Sequence, residues 1–196
     1  MNIMTQKRSR LLEQAPLFVF VDLQAEYTAK GRAYALQGMK QCIHNCKRVL
    51  DYARKNGLPI AHFRQIHRGA FFNKSSEFVH WLEDFKPIHS EMIFERDLPS
   101  CYSNKAFCRL LDNMNNPHIV LLGLTGPQAC LSTAVDAYHR NHDLTFLRDC
   151  SATPAMGNIP EYKAHQYISQ VINLYARVLR TKDFMQQHHP KNVKWL

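Results

Sequence analysis

The sequence predicts an α/β fold in three layers, with a mostly parallel sheet of about six strands and helices on both faces. Two observations carry this. Short apolar runs alternate with segments of helical period from one end of the chain to the other. The clearest runs, Leu17–Val21 and Ile119–Leu122, are apolar throughout rather than alternating, as strands buried on both faces are. With 45% hydrophobic residues, seven Gly and nine Pro, the chain is neither disordered nor linker-rich.

The elements follow in order. Pro16–Val21 reads as the first strand and ends at Asp22. Residues 35–56 carry Met39, Cys42, Ile43, Cys46, Val49, Leu50 and Ala53 at helical spacing, and Asn56-Gly57 is a helix stop. Pro59–Arg64 is the second strand. Residues 65–90 are aromatic and irregular, with a short helix expected near 75–82, and form the expected insertion or lid. Met92–Phe94 is a third, short strand, and 103–114 reads as a helix. His118–Gly123 is a strand, 128–141 a helix packed by Ala129, Thr133, Ala134 and Ala137, and Leu144–Leu147 a fifth strand. A helix over 161–176, a sixth strand over Arg177–Arg180 and a last helix over 181–188 complete the pattern. Crossovers between parallel strands are right-handed.

The 196 residues suit one domain, with a core over about 15–187 and basic tails at both ends. Such a length buries roughly 70% of the surface of the unfolded chain. No apolar stretch approaches the ~20 residues of a membrane span. Basic residues near the start are followed by no apolar segment of the kind an export signal carries, so a cytoplasmic protein is expected. The net charge of +9 sits mainly at the ends: residues 1–10 carry +3, residues 177–196 carry +4, and the other 166 carry +2. That distribution disfavours a nucleic-acid partner, which calls for a basic face or helix. The six cysteines (Cys42, Cys46, Cys101, Cys108, Cys130 and Cys150) need not pair in a chain of this size. Cys42 and Cys46 read as half-buried helix positions, and His62 and His67 lack an acidic neighbour in sequence, so no metal site is expected.

Ligands of open α/β sheets bind beyond the carboxyl ends of the strands. That rule selects Asp22, Gln65 to Arg68, Glu95 and Arg96, Leu124 to Cys130, and Asp149. Asp22 ends an apolar strand, where partial burial would raise its pKa for proton transfer; a cap or salt bridge is the plainer alternative. Arg96 suits Asp22 or a substrate carboxylate, or else is a solvated loop charge. Cys130, near a helix start, is either an activated thiol or a small buried hydrophobe.

These segments, in this order, resemble the isochorismatase-like hydrolases, a superfamily of isochorismatases, nicotinamidases and other cysteine amidohydrolases. Leu17-Phe-Val-Phe-Val-Asp-Leu-Gln24 resembles the family's first strand with its Asp and following Gln. Met92–Tyr102 resembles the strand carrying the family lysine, and His118–Ala137 the glycine turn and its helix ending in Thr133-Ala-Val-Asp-Ala137. The resemblance covers about residues 15–187 and implies a Rossmann-like fold. It places Asp22 as the acid. The family lysine stands four residues before the serine of a Ser-Ala-Phe-like turn, which from Ser100 gives Arg96, with Lys105 as the rival cation. The nucleophile stands six residues after the turn glycine and seven before the Asp-Ala pair; both counts give Ala129, one place before Cys130. Isochorismatases resemble this arrangement, with a small residue there and a cysteine after it. One residue turns a helical side chain by roughly 100°, so Cys130 is expected to point away.

The resemblance further implies an oxyanion site at the N–H groups of Ala129 and Thr125 beside a cis peptide, at Leu124–Thr125 or at Gly126–Pro127. It implies a homodimer or homotetramer and a small-molecule substrate other than nicotinamide, with no cofactor or metal. Gln24, Tyr27, Phe63, Phe71, Phe72, Trp81 and Tyr102 are the expected pocket contacts, each equally readable as core. The leading expectation is a hydrolase in which Asp22 is the acid and Arg96 its partner, without a thiol. The alternatives are a cysteine hydrolase cleaving the C–N bond of a small amide or ureide through Cys130, and a non-catalytic relative that binds a small molecule or partner protein.

Overall fold

A computed structural model describes residues 15–188. The terminal charges at Lys7, Arg8, Arg10, Lys191 and Lys194 lie outside them. The strands are β1 (Leu17–Val21), β2 (Ile60–Gln65), β3 (Met92–Arg96), β4 (Ile119–Gly123), β5 (Leu144–Leu147) and β6 (Arg177–Leu179). They form one sheet in the order β3-β2-β1-β4-β5-β6, and every neighbouring pair is parallel. The helices are α1 (Lys40–Lys55), α2 (Lys105–Asn113), α3 (Leu131–His139), α4 (Glu161–Ile172) and α5 (Thr181–Gln187).

The pleat of β1 sorts its residues between two cores. Phe18 and Phe20 pack with Cys46, Val49, Leu50 and Ala53 of α1 and Phe184 of α5. Leu17, Val19 and Val21 face the opposite layer with Phe107 and Leu111 of α2, Ala134 and Ala137 of α3, and Ile172 of α4. All residues of β1 and β4 are buried, which explains why neither run alternates with polar residues.

Several boundaries differ from the sequence reading. The helix expected from residue 35 starts at Lys40, because Gly38 takes a left-handed turn (φ +61°). The expected helix near 75–82 is only a 3₁₀ turn at Glu77–Val79, opened by Ser76, whose hydroxyl accepts from the Phe78 N–H. Strand β3 continues past Phe94, so Glu95 and Arg96 are strand residues rather than loop residues. The expected helix over 128–141 is a π turn at Gly126–Cys130 followed by α3. The helix expected over 161–176 ends at Ile172.

The strand order reverses between β1 and β4, so a crevice is expected beyond their carboxyl ends. Val21 pairs with Gly123 across that junction. The backbone there is close: a Cβ on Gly123 would stand 2.0 Å from the Val21 carbonyl oxygen, and Gly123 has φ +120°. Only glycine allows both.

Candidate active site

Asp22 leaves β1 with φ +52°, a left-handed conformation uncommon for a residue with a side chain. Its N–H donates to the Phe63 carbonyl at 2.9 Å, and its own carbonyl accepts from Gln24 N–H at 2.7 Å. This kink turns the carboxyl group into the interior, where the residue has no exposed surface.

Two strands away, the last residue of β3 brings a cation to it. A terminal nitrogen of Arg96 bonds Asp22 Oδ2, and Arg96 Nη1 donates to the Leu98 carbonyl at 2.7 Å. The end of β3 is held from both sides. Ile66 N–H donates to the Arg96 carbonyl at 2.8 Å. Asn104 caps α2 through its Oδ1, accepting from Phe107 at 3.1 Å, while its Nδ2 donates to the Glu95 carbonyl at 2.8 Å. Arg96 is buried, so the solvated-loop reading of its charge is replaced by a buried ion pair.

Two opposed effects set the proton affinity of Asp22. Loss of water favours the neutral acid; the Arg96 charge and the nearby Gln65 backbone favour the carboxylate. Burial wins, and the pKa is raised from 3.8 to about 6. Arg96 keeps its proton at any working pH. Asp22 Oδ1, Arg96 Nε and Thr125 Oγ1 are buried with no hydrogen-bond partner among the described residues. Unpaired buried polar atoms are costly, and sites that bind and react are where such cost is tolerated.

Cys130 stands differently. Its thiol donates to the Gly123 carbonyl at 3.6 Å and lies 3.8 Å from Ser151 Oγ. The residue is fully buried. Burial pushes its pKa well above the ordinary thiol range, while the Ser151 contact and Arg96 pull less strongly the other way. Cys130 does stand at a helix start, as the N-cap of α3 directly after a π turn, with its N–H bonded to the Thr125 carbonyl at 3.1 Å, but burial outweighs the thiolate preference of that position. Ala129 is buried beside it in the same core layer. A cis peptide joins Leu124 and Thr125.

The other expected contacts divide. Gln24 is buried with its amide committed to backbone: Nε2 donates to Val79 at 2.7 Å and to Gln65 at 3.1 Å, and Oε1 accepts from Gln65 N–H at 2.8 Å. It ties β1 to the end of β2 and to the irregular segment that follows, rather than facing a ligand. Tyr27 is buried and donates to Gln65 Oε1 at 3.3 Å; Phe72 packs on its ring at 5.2 Å. Phe63 lies in the core between Phe94 at 5.1 Å and Phe107 at 4.9 Å. Tyr102 bonds His142 Nδ1 at 2.8 Å, away from the Asp22 carboxyl in the α2 and α3 layer. Trp81 bridges Gln24 in antiparallel pairing and carries the Arg64 guanidinium 4.6 Å over its ring.

A cleft of about 840 Å³ opens beside the pair, lined by Ile66, His67, Arg68, Asn73, Lys74, Glu95, Arg96 and Asp97. Ile66 to Arg68 beyond β2, and Glu95 and Arg96 at the end of β3, follow from the rim rule. Asn73 and Lys74 do not: they come from the irregular segment, whose path has no periodicity to read. Among the described residues, no three His, Cys, Asp or Glu side chains gather as a metal ion would require. His62 has an acidic partner after all, Glu91 at 2.8 Å, which also holds Arg54; their separation by 29 positions hid it.

A parallel sheet with a buried acid and guanidinium at its switch point defines an α/β protein with an enzyme-like site. The isochorismatase domain model matches residues 16–183, and the chain belongs to the isochorismatase family. It is 22% identical over 174 residues to the isochorismatase family protein YddQ of Bacillus subtilis (strain 168), covering 85% of this chain and 96% of that one. Solved structures share the fold. An isochorismatase from Pseudomonas putida KT2440 superposes with a TM-score of 0.80 at 24% identity, over 93% of this chain and 98% of that one. An N-carbamoylsarcosine amidase from Thermoplasma acidophilum does so with a TM-score of 0.71 at 20% identity, over 86% and 97%.

Proposed function

We propose that this chain is a hydrolase of a small molecule in which Asp22 is the general acid, Arg96 fixes it, and no thiol nucleophile takes part. The carrying observation is the contrast between two buried groups. The Asp22 carboxyl sits against Arg96 with a pKa raised to about 6. The Cys130 sulfur is turned to the Gly123 carbonyl and held as a thiol.

A carboxylic acid with a pKa near 6 both holds and delivers a proton close to neutral pH. Protonation of the substrate by Asp22 leaves a carboxylate, which the adjacent Arg96 charge stabilises. As the scissile bond breaks, a water oxygen bonds to the substrate fragment left electron-poor, and the proton it releases returns to the Asp22 carboxylate. Ala129, which the resemblance sets where cysteine hydrolases of the family carry their nucleophile, offers no reacting group.

The test is a screen of isochorismate, small amides and small ureides against wild type, Asp22→Asn and Cys130→Ala. Turnover lost in Asp22→Asn and kept in Cys130→Ala supports the reading. Folded Cys130→Ala without activity would refute it. The pH profile is a second discriminator: an acid of pKa about 6 gives kcat/KM that falls above pH 6, whereas a base of the same pKa gives the opposite limb.

A further inference from the structure

The cleft beside the Asp22–Arg96 pair is polar, and its charges are unevenly compensated. Ile66 is the sole aliphatic residue among its lining side chains. Glu95 Oε2 pairs with Lys74 Nζ at 2.7 Å, and its Oε1 accepts from Arg64 Nε at 3.1 Å, so two cations share one carboxylate. Arg96 is matched by Asp22. Arg68 lines the cleft, is exposed, and has no ion-pair partner among the described residues. Asp97 is the one lining acid in the same condition. Among the lining residues Arg68, Lys74 and Arg96 thus stand against Glu95 and Asp97, three cations against two carboxyl groups.

We propose that this cleft takes a small, polar, carboxylate-bearing substrate and that Arg68 is the residue that selects it. The proposal rests on the reading of Asp22 and Arg96 as the reacting pair, and it adds what that pair acts on. A guanidinium presents a planar fork of donors that matches a carboxylate in two-point geometry. Among the described residues Arg68 holds no ion-pair partner that a ligand would have to displace. The polar and charged side chains that make up most of the lining offer a polar ligand hydrogen-bond and charge partners. Asp97 opposes the anion and keeps its binding from becoming tight.

Calorimetric binding of succinate and of its uncharged counterpart succinamide to the full chain tests this. At low salt succinate is expected to bind about tenfold more tightly than succinamide, and added salt should weaken succinate alone. Arg68→Gln, an exposed change, should weaken succinate about fivefold and leave succinamide unchanged. Asp97→Asn should do the opposite and tighten succinate by about twofold to fivefold. Equal affinity for the two compounds, no detectable binding of either, or a preference that survives Arg68→Gln would each overturn the proposal. Binding needs no proton transfer, so its failure is separate from that of the acid role. An active enzyme indifferent to Asp22→Asn would end the acid role while leaving a succinate preference in place.

Discussion

Arg96 and Asp22, 74 positions apart in sequence, meet through one guanidinium nitrogen. Each keeps a polar atom buried and unbonded, Nε on Arg96 and Oδ1 on Asp22. A pair satisfied on all sides would be a structural tie. This one leaves an acceptor and a donor with no partner among the described residues, an arrangement that suits the acid role proposed for Asp22.

The raised pKa of Asp22 makes stability depend on pH. Below about pH 4 the folded and unfolded chains both hold the proton. Between the unfolded value of 3.8 and the folded value of about 6 only the folded chain holds it. Raising pH through that window therefore favours unfolding, and the loss levels off above pH 6 at about 3 kcal/mol. Asp22→Asn should lack this fall. Urea denaturation at pH 4, 5, 6 and 7 should show the variant gaining on wild type as pH rises, and parallel curves would contradict the assignment. Arg96→Gln removes the group that lowers the Asp22 pKa, so the midpoint of the kcat/KM profile should move above 6.

Cys130 should be inert. Its sulfur is buried and held as a thiol, and the thiolate is the form that reacts. Iodoacetamide at pH 7 should label it only on the timescale of unfolding, and Cys130→Ala should change the free energy of unfolding, read from urea denaturation, by about 1 kcal/mol. Stoichiometric labelling of the native protein within minutes would contradict the packing.

Much of this was legible in the chain. The β1 and β4 runs are apolar on both faces, which fixed the parallel sheet, and the strand-end rule then placed Asp22, Arg96 and the residues after Gly123 on one rim. What was not legible depends on direction rather than spacing. Gln24 has the residue type and position of a ligand contact, yet its amide bonds Val79 and Gln65, partners that only the path of the irregular segment brings near. Phe63 and Tyr102 have the composition of a pocket wall but face the α2 layer, because the pleat and the turn before α2 point them there. The Glu91 partner of His62 enters from the loop before β3, which no local pattern announces.

Gly123 should not tolerate a side chain. With φ +120° and a Cβ position 2.0 Å from the Val21 carbonyl oxygen, Gly123→Ala sets backbone against backbone. Neither strand can yield, since Leu124 N–H donates to that same Val21 carbonyl at 2.8 Å. A loss of more than about 3 kcal/mol, or failure to fold, is expected. Circular dichroism and thermal melting would show it. Alanine at Gly57, which has a left-handed φ of +62° and open space around it, should cost only about 1 kcal/mol. Equal losses at both sites would show that the close approach to Val21 is not what Gly123 provides.

His118 should make the protein acid-sensitive. It lies at the start of β4 with both ring nitrogens buried and unbonded. Burial, aided by the charges of His188 and Arg177, lowers its pKa from 6.5 to about 3. The unfolded chain takes up a proton below pH 6.5 that the folded chain refuses until about pH 3, so stability present at neutral pH drains away on acidification. At pH 5 the loss from this one group is about 2 kcal/mol. His118→Leu removes both the unpaired nitrogens and the proton uptake. The variant should be no less stable than wild type at pH 7, and should exceed it by a further 2 kcal/mol or so at pH 5. If the two proteins lose stability in parallel between pH 7 and pH 5, His118 is bonded or already protonated in the folded state, and its burial in this conformation is wrong.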